Sequence, residues 1–147
     1  MQGHQREPYV VAFEPAAAVR DVLTIPAHWS QYARTRFEFS PLFVGATSND
    51  TTVALDQFYG QRPFLHGKPS LIKVDVEGAE IEVLHGARLL LEHPHQWVVE
   101  VHGDQLLDPV LRVFSMVNRA VEVVPLKPHW LLGPETRVIP TCWVTTR

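Results

Sequence analysis

The segment Leu71-Ile-Lys-Val-Asp-Val-Glu-Gly-Ala-Glu80 decides the fold of this chain. Its first residues form an apolar run, which is typical of a strand. The apolar positions that follow it are spaced three and four residues apart: Ile81, Leu84, Ala87 and Leu91. Because that spacing is the helical period, we predict a strand over residues 70–75 and one helix over residues 78–93.

Strand and helix signals alternate on both sides of this segment. Extended runs occupy residues 9–13, 37–46, 96–102, 120–126 and 137–145, and residues 53–59 suit a short strand that leads into a helical turn. Helical patterns occupy residues 16–23 and 106–118. Such alternation predicts an α/β fold with a mainly parallel sheet. The length of 147 residues fits one domain over residues 1–147.

The composition excludes several classes of protein. The 16 acidic and 13 basic residues give a net charge of −3, which argues against a general nucleic-acid binder. No apolar run reaches the roughly 18–20 residues of a membrane span, and the polar start is not a signal peptide. We therefore expect a cytoplasmic protein that binds neither nucleic acid nor membranes. The single cysteine, Cys142, excludes an internal disulfide and indicates a small buried residue rather than a nucleophile.

Acidic side chains and a histidine lie at or just beyond the predicted strand ends: Glu14, Asp75, Glu77, Glu100 and His102. Ligands of open α/β sheets bind at the carboxyl ends of the strands. Asp75 and Glu77 are suited to holding a hydroxyl, to acting as a base or to ligating a divalent metal. Glu77 and Glu80 are equally suited to a helix N-terminus, where the dipole favours negative charge.

Two further positions leave alternatives open. Glu100 and His102 are two residues apart, so they point to one face of their strand. They suit an acid–base pair, two metal ligands or a hydrogen-bonded structural pair. Glu14 suits either the hydroxyls of a ribose or a solvated loop. Six other histidines show no HExxH pattern, and we predict surface positions for them, with His93 and His95 also able to bind a metal incidentally: His28, His66, His85, His93, His95 and His129.

The stretches Leu71–Ala87 and Trp97–His102 closely resemble the FkbM-type methyltransferase family. The segments Val11-Ala-Phe-Glu-Pro15 and Val53-Ala-Leu-Asp56 match the same family in order. The resemblance implies a Rossmann-like class I methyltransferase fold that uses S-adenosylmethionine. It also implies O-methylation of a small-molecule or sugar hydroxyl.

The resemblance also implies roles for the strand-end residues. Glu14 would hold the ribose hydroxyls of the cofactor, and the turn made of Ala46, Thr47, Ser48 and Asn49 would border the adenine. Asp75 would lie beside the methyl group and the acceptor, with Glu77 nearby. Glu100 and His102 would face the acceptor, and either Asp75 or His102 would take the proton of the hydroxyl.

The family pattern begins with a first strand and a glycine-rich loop, and this chain has neither. Eight residues precede Tyr9, and no Gly-x-Gly occurs in the chain. We therefore expect an N-terminally truncated domain that binds the cofactor poorly by itself. Two other hypotheses stay open. One is a non-enzymatic module, whose exposed sheet edges recruit a partner or form a homo-oligomer. The other is a metal-dependent hydrolase that uses Asp75, Glu77, Glu100 and His102.

Overall fold

The computed structural model describes residues 8–16, 36–125 and 141–147, which form two compact units. One unit contains the described residues up to Phe43 together with Asp50–Thr52. The other contains Val44–Asn49 and the described residues from Val53 to Arg147. The predicted helix over residues 16–23, like His28 and His129, lies outside the described residues, apart from Ala16.

The first unit is built on a pair of parallel strands, β1 (Tyr9–Phe13) and β2 (Arg36–Ser40). Their register places Tyr9 opposite Arg36 and Phe13 opposite Ser40. The predicted extended run over residues 37–46 is divided at Pro41, because proline has no N–H to donate to a strand ladder. Its second part is the short strand β3 (Phe43–Val44).

A short strand pair and a short helix follow this region. β3 pairs with β4 (Thr52–Val53), with Phe43 N–H donating to the Thr51 carbonyl at 2.9 Å and Gly45 N–H to the Val53 carbonyl at 3.1 Å. α1 (Leu55–Gly60) comes directly afterwards, as predicted, and a single 3₁₀ turn occupies Pro63–Leu65.

The second unit contains a four-stranded sheet in the order β5 (Leu71–Val74), β6 (Gln96–His102), β8 (Thr141–Thr146) and β7 (Val121–Pro125). β5 and β6 are parallel, whereas β8 runs antiparallel to both β6 and β7. The α/β class is therefore confirmed, but the sheet is mixed. Within the part of the chain that the structure describes, β5 forms one edge of this sheet.

The predicted single helix over residues 78–93 is wrong, since two short helices occupy that region. They are α2 (Glu80–His85) and α3 (Arg88–Glu92). The chain turns at Gly86, whose carbonyl accepts a hydrogen bond from Asp56 N–H at 2.8 Å. A Cβ on Gly86 would lie 2.0 Å from the Gly45 carbonyl oxygen. This close contact with a distant backbone segment sets the break, which the helical period could not reveal.

A hydrophobic core lies between the sheet and the helices of the second unit, which include α4 (Asp104–Met116). The rings of Trp97 and Phe114 meet edge to face in it, with their centroids 6.3 Å apart. The prediction of a surface position is wrong for His95, which is 2% exposed, and is confirmed for His66, His85 and His93. None of the described helices has the length and apolar character needed to cross a membrane.

Candidate active site

Three of the predicted site residues meet at the carboxyl end of two adjacent parallel strands. Asp75 directly follows β5, and Glu100 and His102 end β6. Val74 pairs with Val99, so the next residues along each strand, Asp75 and Glu100, also lie side by side. One carboxylate or imidazole atom from each of Asp75, Glu100 and His102 lies within 4.8 Å of the other two.

Glu80 holds the ring of His102 from the first turn of α2. Its Oε1 lies at hydrogen-bond distance, 2.8 Å, from the ring nitrogen Nδ1 and accepts a hydrogen bond at 3.1 Å from the backbone N–H of His102. The Glu80 side chain is fully buried, and the His102 side chain is 10% exposed. The sequence suggested a residue that pairs with the helix dipole, whereas the structure shows the partner of the site histidine.

The other ring nitrogen of His102 faces the remaining two carboxylates. Nε2 lies 3.8 Å from Asp75 Oδ1 and 3.7 Å from Glu100 Oε1. In a neutral imidazole one ring nitrogen carries the proton and the other carries a lone pair that can accept one, so the contacts at Nδ1 and Nε2 bear on which nitrogen has which role.

The charges around this imidazole are mostly negative. Glu80 and Glu100 are buried, whereas the side chain of Asp75 is 43% exposed and reachable from solvent. The ammonium of Lys73 forms an ion pair with Asp75 Oδ2 and lies 5.4 Å from the centre of the Trp143 ring. The carboxylates therefore favour a cation near the open side of the cluster.

Two glycines shape the turns beside the cluster. Gly78 has a φ of +88°, a conformation that glycine adopts readily because it has no Cβ. Gly103 has a φ of +124°, and a Cβ on it would lie 2.6 Å from the side-chain nitrogen of Gln105. Both turns therefore require glycine, one two residues before α2 and the other directly before α4.

The remaining predicted site residues lie outside the cluster. Glu77 is exposed, and Glu14 belongs to the other unit, where its Oε1 accepts a hydrogen bond from Ala16 N–H at 2.8 Å. In the turn over residues 46–49, the Ser48 hydroxyl accepts a hydrogen bond from Ala54 N–H at 2.9 Å. Their assignment to the cofactor stays a prediction.

Cys142 has no sign of an activated nucleophile. Burial, followed by the charge of Asp104, raises the pKa of its thiol above the ordinary value. A thiol with a raised pKa stays protonated near neutral pH, and the thiolate is the nucleophilic form. The expectation that Cys142 is not a nucleophile agrees with this environment.

The sequence did not identify the roles of two carboxylates. Glu80 was one of three acids near a predicted helix start, and only the fold distinguishes it as the buried one. Asp56 belongs to the segment Val53–Asp56 that matches the family, but no role for it could be predicted from the sequence. In the structure its Oδ2 and Oδ1 accept hydrogen bonds from the backbone N–H groups of Leu89 and Leu90 at 2.9 and 3.0 Å.

Three comparisons with known proteins agree with one another. The pattern of the methyltransferase FkbM domain matches residues 24–115. The hexuronic acid methyltransferase AglP of Haloferax volcanii is 29% identical, over 80% of this chain and 57% of that protein. The crystal structure of methyltransferase FkbM from Methylobacillus flagellatus superposes with a TM-score of 0.64 at 18% identity, over 93% of this chain and 36% of that chain. The chain thus spans little more than half of the curated relative, and the likeness to the solved structure concerns the fold.

Proposed function

Because this chain belongs to the FkbM methyltransferase family, we propose that it forms the reacting part of an S-adenosylmethionine-dependent O-methyltransferase. Its acceptor is a hydroxyl of a small molecule or sugar, and the hexuronic acid methyltransferase among its relatives favours an acidic sugar. The observation that carries this proposal is the imidazole of His102, held by Glu80 with Nε2 turned toward Asp75 and Glu100.

The residues present fit the cationic part of the cofactor. S-adenosylmethionine, when bound, supplies a methyl group on a positively charged sulfur, ready for in-line displacement. The accessible carboxylate of Asp75, with buried Glu100 behind it, provides the negative potential that such a cation requires.

In the proposed reaction, His102 removes the proton of the acceptor hydroxyl. The hydroxyl oxygen must be placed about 3–3.5 Å from the methyl carbon, and its nucleophilicity rises as its proton leaves. Nε2 of His102 is the nitrogen that is free to take this proton. Asp75 and Glu100 on either side of Nε2 then stabilise the imidazolium that forms, as does Glu80 at Nδ1.

Methyl transfer to an acceptor panel tests this proposal. Because the chain by itself is expected to bind the cofactor poorly, the protein is incubated with methyl-labelled S-adenosylmethionine in large excess and with a set of uronic acids and neutral sugars, and it should give a labelled ether. His102→Gln should lower kcat by about 10²–10⁴-fold, the usual contribution of general base catalysis. His85→Gln, at an exposed histidine on α2, is the matched control and should leave kcat unchanged. Equal rates for wild type and His102→Gln would contradict the role of this histidine.

Cofactor binding is tested separately by isothermal titration with S-adenosylmethionine. Asp75→Asn should weaken the binding of the cofactor, because it removes the accessible negative charge beside the cation. A Lys68→Gln variant changes an exposed charge elsewhere in the same unit and serves as the control. Unchanged affinity in Asp75→Asn would show that this carboxylate does not face the cofactor.

A second candidate function is metal-dependent hydrolysis by the same cluster. The observation that favours it is the distance of 4.8 Å or less among the ligand atoms of Asp75, Glu100 and His102. The fourth predicted ligand, Glu77, is not part of that group. Titration of the wild type and of Asp75→Asn with Mg²⁺, Mn²⁺ and Zn²⁺ separates the two functions. A hydrolase requires a metal ion that binds the wild type and is lost in Asp75→Asn. If no such binding is measured, the hydrolase hypothesis is refuted.

A further inference from the structure

We propose that Glu80 is a positioning residue that fixes the tautomer of His102, so that the neutral ring carries its proton on Nδ1 and its lone pair on Nε2. The chemical consequence rests on the proposed methyl transfer, whereas the tautomer itself is a property of the folded chain. Glu80 does not touch the reacting atoms, and it acts only through the imidazole.

The contacts at Glu80 Oε1 determine which nitrogen of His102 carries the ring proton. The backbone N–H of His102 donates to this oxygen at 3.1 Å, and Gly78 N–H donates more weakly at 3.4 Å. Both are obligatory donors, so Oε1 is an acceptor in this structure. The third contact, from Nδ1 at 2.8 Å, must then also be a donation, which places the ring proton on Nδ1.

Burial makes this assignment rigid. The side chain of Glu80 is fully buried, and that of His102 is 10% exposed, so water cannot readily replace either partner. A charge-assisted hydrogen bond is stronger than a neutral one, especially in surroundings of low dielectric constant. The alternative tautomer would place a lone pair of Nδ1 against the lone pairs of the carboxylate, which is repulsive.

The same geometry explains why a buried carboxylate occupies this position. The ring cannot turn over without losing its bond to Oε1, so Nε2 stays between Asp75 Oδ1 and Glu100 Oε1. The side chain that selects the tautomer also orients the ring. The backbone bond to His102 N–H further fixes the end of β6 relative to the start of α2.

Nuclear magnetic resonance of histidine-labelled protein tests the tautomer without any activity measurement. Long-range proton–nitrogen correlations distinguish the two neutral tautomers, and a His102→Gln sample assigns the signals of this ring among the eight histidines. The pH is raised until the ring signals stop changing. Wild type should show a single Nδ1–H tautomer at His102. An Nε2–H tautomer in the folded wild type would overturn the proposal.

Two variants of Glu80 separate positioning from a merely structural role. In Glu80→Gln, the two backbone N–H donors keep the side-chain oxygen at its place, so the Nδ1–H tautomer should persist. In Glu80→Ala, the acceptor is lost, and a mixture of tautomers should appear. If Glu80→Ala unfolds, Glu80→Gln still decides, because loss of the Nδ1–H tautomer in that folded variant contradicts the proposed geometry. Retention of the single tautomer in folded Glu80→Ala would also refute it.

Kinetics then connects the tautomer to catalysis. Glu80→Ala should lower kcat by about 10–10²-fold with little change in KM, since the base is misplaced while the acceptor still binds. Glu80→Gln should recover most of this loss. A uniform rise in KM at constant kcat would instead indicate a role in binding. If wild type transfers no methyl group, the proposed function fails, whereas the tautomer measurement remains a valid test of the positioning role.

Discussion

Replacement of Asp56 is expected to destabilise the second unit through a helix that lies more than thirty residues further along the chain. Ala87, the residue at the N-cap position of α3, has no side chain that can accept a hydrogen bond. Asp56 takes over that role, because its two carboxylate oxygens accept the N–H groups of Leu89 and Leu90. These are the second and third positions of the helix, the same groups that an N-cap side chain normally satisfies.

The magnitude follows from the number and environment of these hydrogen bonds. Loss of an N-cap side chain costs about 0.5–2 kcal/mol, and hydrogen bonds to ionised groups contribute about 1.5–3 kcal/mol each. The bond to Leu89 is exposed and the bond to Leu90 is partly buried, so values near the lower end apply. We expect Asp56→Ala to lower the free energy of unfolding by about 2–3 kcal/mol. Asp56→Asn keeps one oxygen and should be intermediate.

Urea and thermal unfolding followed by circular dichroism measure this effect. A cost of 2–3 kcal/mol corresponds to a Tm lower by about 4–12 °C for a chain of this size. Asp108→Ala, at an exposed position on α4, is the matched control and should stay within about 0.5 kcal/mol of wild type. A loss below about 0.5 kcal/mol in Asp56→Ala would refute the capping role, as would an Asn variant no more stable than the Ala variant.

Three more predictions concern packing, pH and thiol reactivity. Gly86→Ala should lower the free energy of unfolding in urea by about 3 kcal/mol or more, because the new Cβ would lie 2.0 Å from the Gly45 carbonyl oxygen. The control is Gly60→Ala, which should be neutral or stabilising because the new Cβ has open space around it. Burial lowers the pKa of His95 below 6.5. The contribution of His95 to the free energy of unfolding should therefore be complete above pH 6.5 and should fall as the pH decreases toward the lowered pKa. His95→Phe should remove this part of the pH dependence between pH 8 and 5. If both proteins lose the same stability over that interval, His95 is not responsible. Cys142 should react slowly with a thiol reagent in the folded protein and rapidly in urea, and equal rates would contradict the raised pKa of its thiol.

Local sequence patterns predicted the bounds of strands and helices best where no long-range contact competed with the local pattern. The strand over residues 96–102 is observed with the same bounds as β6, because Trp97, Val98, Val99 and Val101 are β-branched or aromatic residues that favour a strand in a covered sheet. The long helix over residues 78–93 failed because a competing long-range contact was stronger than the helical period. The packing of Gly86 against Gly45 and the hydrogen bonds from Asp56 create a turn and a new helix start.

The candidate site shows the same division. Parallel neighbouring strands place their carboxyl ends together, so the sequence was sufficient to predict that Asp75, Glu100 and His102 share one edge. The burial of Glu80 was not predictable, since three acids within six residues have nearly the same local pattern. Only the docking of α2 on the end of β6 selects one of them as the partner of the imidazole.

The sequence by itself determined the α/β class, the positions of most strands and the family to which the chain belongs. These depend on short-range periodicity and on a contiguous motif, which are both readable along the chain. The tertiary structure decided the break at Gly86, the buried position of His95 and the hydrogen bonds that orient His102. Each of these depends on which distant groups come into contact, because the free energy of a buried polar group is set by its partner rather than by its neighbours in sequence.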